Sequence, residues 1–198
     1  ITMSETDHAS TLLKLLPLLG ESGIAELMPF LELKEIQSGN VLVKQGANDT
    51  DLYFLIGGMY SVFEKIRINR SNVVLQTATF PGPGILGEVN ALIETMRSAT
   101  VVSMQATDCY VLTKVKFDQL TAQKPKLAIE LLKAFGATMH ARQVAFQHKV
   151  RGNILKESAT IEGAIAKLGR YTGKVSRTPS ALADKLFSAD FEGMNYES

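Results

Sequence analysis

The sequence predicts an α+β fold, mainly β: an antiparallel β-roll or jelly roll with short helices before it and a long helix after it. Three observations carry that prediction. Between Gln37 and Val115 the chain consists of short runs rich in Val, Ile, Tyr, Phe and Thr, set off by turn-type clusters. On either side, apolar residues recur at helical spacing. With 198 residues, 45% hydrophobic and 21% charged, the chain is long enough for one good core and a smaller appendage.

The N-terminal stretch comes first. Leu12, Leu15, Leu16 and Leu19, then Ile24, Leu27, Met28 and Leu31, follow a helical period broken by Pro17, Gly20 and Gly23, which predicts two or three short helices. The strand candidates are VLVKQ, DLYFLI, MYSVFEKI, NVVLQTATF, ATVVSMQA and CYVLTKV. Between them lie SGN, GAND, GG, NRSN, PGPG and ATD, whose Gly, Asn, Asp and Ser supply positive φ or side-chain-capped turns. Six or more short strands at near-regular spacing favour an antiparallel sandwich. From Lys116 the helical period returns, with Leu127, Leu131 and Phe135 on one face of an uninterrupted stretch reaching about Val150. No internal repeat or low-complexity segment interrupts this order.

Composition narrows the function classes. The formal net charge is +1, so the overall balance demands neither nucleic acid nor an acidic membrane surface. The single cysteine, Cys109, excludes an intramolecular disulfide framework and suits a reducing compartment. No apolar run reaches the roughly 18 residues needed to span a bilayer. The segment before Leu19 places acids ahead of its apolar run and lacks a small-residue cleavage site, unlike a signal peptide. A cytoplasmic location is expected. The chain opens at Ile1 rather than at methionine, as an excised fragment would.

The run QSGNVLVKQGANDTDLYFLIGGMYSVF, with Gly39, Gly46, Leu52, Tyr53, Phe54, Ile56 and Gly58, resembles the first half of a cyclic nucleotide-binding domain. PGPGILGEVNALIETMRSATVV resembles that family's phosphate-binding cassette: a Gly-Glu pair, a short helix, and an Arg followed by small residues. KFDQLTAQKPKLAIELLKAFGATMHARQ is similar to its helix B and long helix C. The resemblance covers roughly residues 11 to 148. Leu86 stands where the family usually has an aromatic, and Asn90-Ala91 where it has Ala-Leu. It implies a domain over residues 37–150, a helical lead over 1–36 and a C-terminal helical extension of unknown role over 151–198.

The chemistry of the cassette fits such a ligand. A cyclic nucleotide offers a singly charged phosphodiester, a ribose 2′-hydroxyl and an apolar purine face. Arg97 is the only cation between Gly82 and Val102, and its fork can give two charge-assisted bonds to phosphate oxygens. Gly87 lets backbone approach the sugar phosphate, and a helix starting near Glu88 offers free N–H groups to an anion. Glu88, an acceptor when ionised, suits the 2′-hydroxyl. Val89 completes the start of the cassette helix, Ser98, Ala99 and Thr100 are small neighbours of the phosphate, and Thr138 with Met139 falls where helix C of the family reaches the base. A Glu88–Arg97 ion pair across the short helix is the structural alternative for those two residues. Nothing in the set activates a nucleophile: the expected site is not catalytic and needs neither metal nor cofactor beyond its ligand, cAMP rather than cGMP by resemblance, with Thr100 leaving cGMP open.

Other residues read as structural. His140 and His148 are eight apart, unlike the i, i+4 spacing of helical metal ligands, and are expected on a solvated face. Cys109 has no neighbouring Lys, Arg or His and is expected in the core. Beyond Val150, IEGAIAKLG and TPSALADKLF form two short amphipathic segments, the second with Thr178 as a helix cap and Pro179 behind it. VSRTPSALADKL echoes a recognition helix, yet Gln143–Ser198 holds eight Lys/Arg against six Asp/Glu and is short for a winged module, so DNA is not the expected partner of this chain alone. The expected function is a regulatory sensor that couples cyclic nucleotide binding to movement of its long helix, with a homodimer through that helix and an effector partner. A DNA-binding regulator of the same family and a ligand-free interaction module are the alternatives.

Overall fold

The computed structural model describes residues 5–68, 71–93, 95–156 and 160–172. The chain divides into two compact units, residues 1–141 and 142–198. The first begins with helices α1 (Glu5–Leu15) and α2 (Gly20–Leu27), each followed by a single 3-10 turn that starts at or beside a proline, Pro17–Leu19 and Met28–Phe30. Proline has no N–H to give and presets φ, so it suits a first helical position.

Eight strands follow: β1 (Glu32–Ile36), β2 (Val41–Val43), β3 (Leu52–Leu55), β4 (Met59–Ile68), β5 (Ser71–Pro81), β6 (Gly84–Leu86), β7 (Thr100–Ser103) and β8 (Thr107–Leu112). They form two four-stranded antiparallel sheets, in the orders β1-β8-β3-β6 and β2-β7-β4-β5. Helix α3 (Glu88–Ile93) sits between β6 and β7, and helices α4 (Lys114–Gln123) and α5 (Pro125–Lys156) follow β8. The α+β architecture read from the sequence is the one observed.

The first sheet has a core on each face. Leu52 and Phe54 of β3, Ile85 of β6 and Tyr110 and Leu112 of β8 join Leu12, Leu16, Leu27, Leu131 and Phe135 of the helices. Their alternating neighbours Leu55, Leu86, Cys109 and Val111 join Leu42, Val43, Tyr60 and Val101 in a second core with the other sheet. Two buried faces explain why LYFLI, after Asp51, is an unbroken apolar run: a strand covered on both sides has no polar face to alternate with. The helical layer is also tied on by polar contacts. His8 of α1 is buried with Nδ1 3.3 Å from the Tyr110 hydroxyl and Nε2 3.4 Å from Asp108 of β8.

Differences from the expected boundaries are local. β1 and β6 were not among the strand candidates. CYVLTKV leaves the sheet at Leu112, because Thr113 caps α4 by accepting from the Lys116 N–H at 3.4 Å. The helical stretch from Lys116 is two helices, in line with the resemblance to helix B and long helix C, and it divides at Lys124, immediately before Pro125. Beyond α5, the segment IEGAIAKLG forms helix α6 (Ile161–Thr172). TPSALADKLF and the recognition-helix echo lie outside the described residues.

Candidate functional site

The site is built where the β2–β3 loop meets the segment between β6 and β7. Gly87 ends β6 with φ +87° and opens α3, its carbonyl accepting from the Ala91 N–H at 3.1 Å. A side chain is barred there twice over. Besides the positive φ, a Cβ would stand 2.5 Å from both Arg97 Nη1 and the Asp51 carbonyl. The backbone at Gly87 therefore lies directly against the Arg97 guanidinium.

Arg97 is clasped by the opposite loop. Its N–H donates to the Ala47 carbonyl at 2.9 Å and its carbonyl accepts from the Gly46 N–H at 2.8 Å. Its side chain, 1% exposed, donates from Nε to Asp49 Oδ1 at 3.1 Å, and from Nη2 to the same oxygen and to the Asp51 carbonyl, the latter at 2.6 Å. Nη1 donates to Asn90 Oδ1 at 3.3 Å. Four of the five N–H donors of the guanidinium thus bond oxygen of this chain. Asn90, itself buried, returns an Nδ2 hydrogen bond to the Thr95 carbonyl, so its amide is satisfied from both ends.

Asp51 carries the arrangement outward. Its carbonyl accepts from Arg97, while its carboxylate accepts from the Lys114 N–H, 3.3 Å away at the first residue of α4. One residue therefore joins the guanidinium to the start of the helix that follows the roll. Beside it, burial and then the Asp51 and Asp49 carboxylates push the Tyr53 hydroxyl up to about 12, so it stays protonated.

The remaining residues singled out from sequence take distinct places. Glu88 is buried at the first position of α3, and Val89 beside it is half-buried. Ser98 is exposed; Ala99 and Thr100 are half-buried at the start of β7. The Thr100 hydroxyl accepts from the Gln45 N–H at 3.0 Å, and Gln45 exchanges hydrogen bonds with the Lys65 backbone. Thr138 is half-buried in α5 and its hydroxyl donates to the Ala134 carbonyl at 3.0 Å, an ordinary intrahelical bond. The structure thus brings Gly87 and Arg97 into contact, while the Thr138 hydroxyl is engaged within its own helix.

Asp49 and Asp51 are the site residues that the sequence reading passed over. The cluster GAND, followed by Thr-Asp, reads locally as a turn, whereas Glu88 is expected to meet the ribose, with a pair to Arg97 as its structural alternative. The available signal was two acids in a Gly-containing loop of a chain whose cassette holds one cation. His140 and His148 are exposed, and Cys109 is buried in the inter-sheet core, where desolvation pushes its thiol up to about 11.

Residues 33–124 match the family model described as the cyclic nucleotide-binding domain. That segment is a cyclic nucleotide-binding domain. The fold agrees with a cyclic nucleotide-binding domain from Methylobacillus flagellatus, 20% identical, at a TM-score of 0.65 over 81% of this chain and 91% of that one. Among curated proteins, 111 residues are 26% identical to a lysophospholipase of Neurospora crassa, covering 56% of this chain and 7% of that protein. A Pycsar effector protein of Burkholderia cepacia is 28% identical over 110 residues, 54% of this chain and 34% of its own length. This chain spans a minor part of both. No described helix is long and apolar enough to cross a membrane.

Proposed function

We propose that the chain is a cyclic nucleotide sensor with a regulatory rather than catalytic role. The observation that carries the reading is the buried Arg97 guanidinium lying against the positive-φ backbone of Gly87 at the start of α3. A phosphodiester entering there meets a cation in a water-poor setting and backbone free of side-chain bulk. Glu88 accepts the ribose 2′-hydroxyl, Val89, Ser98, Ala99 and Thr100 line the sugar-phosphate, and Thr138 of α5 reaches toward the base. cAMP is the favoured ligand over cGMP by family resemblance. No metal or further cofactor enters this reading.

Coupling follows the contacts of Asp51. A ligand that shifts Arg97 shifts the Asp51 carbonyl, and through its carboxylate the first turn of α4. α5 then moves with α4 and delivers the signal to a neighbouring effector in the cytoplasm. Ligand changes the balance only as far as it prefers one arrangement over the other. Leu132, Met139 and Phe146 recur every seven residues along α5 and supply a seam for a homodimer. Sedimentation of a monomer with and without ligand would remove the dimer from this account.

The test of binding is thermal. At a hundredfold excess over Kd a ligand of the native state adds about 2.7 kcal/mol, a rise in Tm of roughly 5–10 °C for a chain of this size. cAMP is expected to produce that rise, cGMP a smaller one and 5′-AMP none. A second reading is kept by one observation: four of the five Arg97 side-chain donors are already taken by Asp49, Asp51 and Asn90. If the fold is a ligand-free interaction module, no cyclic nucleotide moves the Tm.

A further inference from the structure

Asp49 and Arg97 are unequal partners. The Arg97 side chain is 1% exposed and Asp49 is 41% exposed. Asp49 presents its carboxylate to the Nε–Nη2 edge of the guanidinium, the edge that an oxyanion takes up in a two-donor contact. We propose that Asp49 is a specificity-determining counter-ion of this site: it holds that edge of Arg97 in the ligand-free protein and yields it to an incoming phosphodiester. Binding is then an exchange of one singly charged oxyanion for another. The proposal rests on the reading of the site as a nucleotide pocket.

Three features make Asp49 the partner that leaves. Arg97 is fixed through its own backbone to Gly46 and Ala47, and two of its other three side-chain donors are held by Asn90 and the Asp51 carbonyl. Asp51 is in turn anchored by its carboxylate to the Lys114 N–H. Among the described residues Asp49 has no hydrogen bond or ion pair other than those to Arg97, and its half-exposed carboxylate rehydrates readily when released. Leaving Arg97 buried without any anion is the costly state, so the carboxylate departs only as another anion arrives. Ligands that cannot supply an oxyanion to that edge therefore gain nothing to offset the lost pair.

A consequence is that the native site binds more weakly than its donors alone allow, because each ligand must displace the resident acid. Removing the acid inverts the balance: the ligand-free protein loses stability and the ligand gains affinity. The experiment compares native protein, Asp49→Ala and Asp49→Asn by calorimetric titration with cAMP and cGMP, with circular dichroism as the control for folding. In parallel, the Tm of each is measured in millimolar sodium sulfate against sodium chloride at matched ionic strength. Asp49→Asn keeps the side-chain shape should the alanine variant fail to fold. The expected result is a Kd at least tenfold lower in Asp49→Ala, a smaller gain in Asp49→Asn, and a sulfate-specific rise in Tm in the variants beyond that of the native protein. Unchanged or weaker nucleotide binding in both variants overturns the proposal and makes Asp49 a residue that merely positions Arg97. If no protein binds nucleotide, the pocket reading fails on its own. The sulfate arm still decides the exchange: a rise confined to the variants upholds it, and equal responses overturn it.

Discussion

At Gly87 the conformational and the chemical demands coincide. Its φ of +87° disfavours any side chain, and the space a Cβ needs is filled by the Arg97 guanidinium and the Asp51 carbonyl. Gly87→Ala is expected to cost about 1–3 kcal/mol in urea unfolding and to displace the guanidinium, weakening nucleotide binding as well. A variant with native stability would show that the loop yields without strain. Arg97 was legible in the sequence because it is the lone cation of its segment, followed by small residues. Asp49 was not, because Gly-Ala-Asn-Asp is equally a good turn and its partner lies 48 residues away. Charge pairing across a fold leaves no local period to read.

At the scale of elements, α5 depends on the face it buries. Leu131 and Phe135 are fully buried, and the Phe135 ring lies 6.5 Å from that of Phe54 in β3. Phe135→Ala is expected to destabilise by about 3–5 kcal/mol, read as a lower midpoint in urea with little change in slope. A cost near that of a surface substitution would mean that the helix is not seated on the sheet. This helix and the strands β3, β4, β7 and β8 were legible because burial imposes periodicity on sequence. β1 was not: four of its five residues, in the segment ELKEI, are exposed at the edge of its sheet, so burial leaves little pattern there. β6 is three residues long and was hidden within the cassette. The break at Lys124 was legible from Pro125 and from the resemblance to two successive helices, although the apolar face continues across it.

For the molecule as a whole, buried acids of high pKa set an upper limit on pH. Burial pushes the Tyr53 and Tyr60 hydroxyls up to about 12 and the Cys109 thiol up to about 11. Each group is harder to ionise folded than unfolded, so the stability it contributes is complete below its unfolded pKa, about 8.5 for Cys and 10 for Tyr. Unfolding free energy should therefore hold to about pH 8.5 and fall steadily toward pH 12, as urea titrations across that range will show. A flat profile would mean that these groups reach water in the native state. The fold class was legible because it rests on many residues acting together, whereas the state of the pocket turns on a single pair, Asp49 and Arg97.

The central claim is that Arg97 reads the phosphate of a cyclic nucleotide. Isothermal titration of cAMP into the native chain and into Arg97→Ala tests it most directly, with circular dichroism verifying that the variant is folded. A charge-assisted bond contributes about 1.5–3 kcal/mol. The account predicts saturable binding to the native chain that weakens at least tenfold in the variant. Equal affinity in both proteins, or no binding to the native chain, would contradict it.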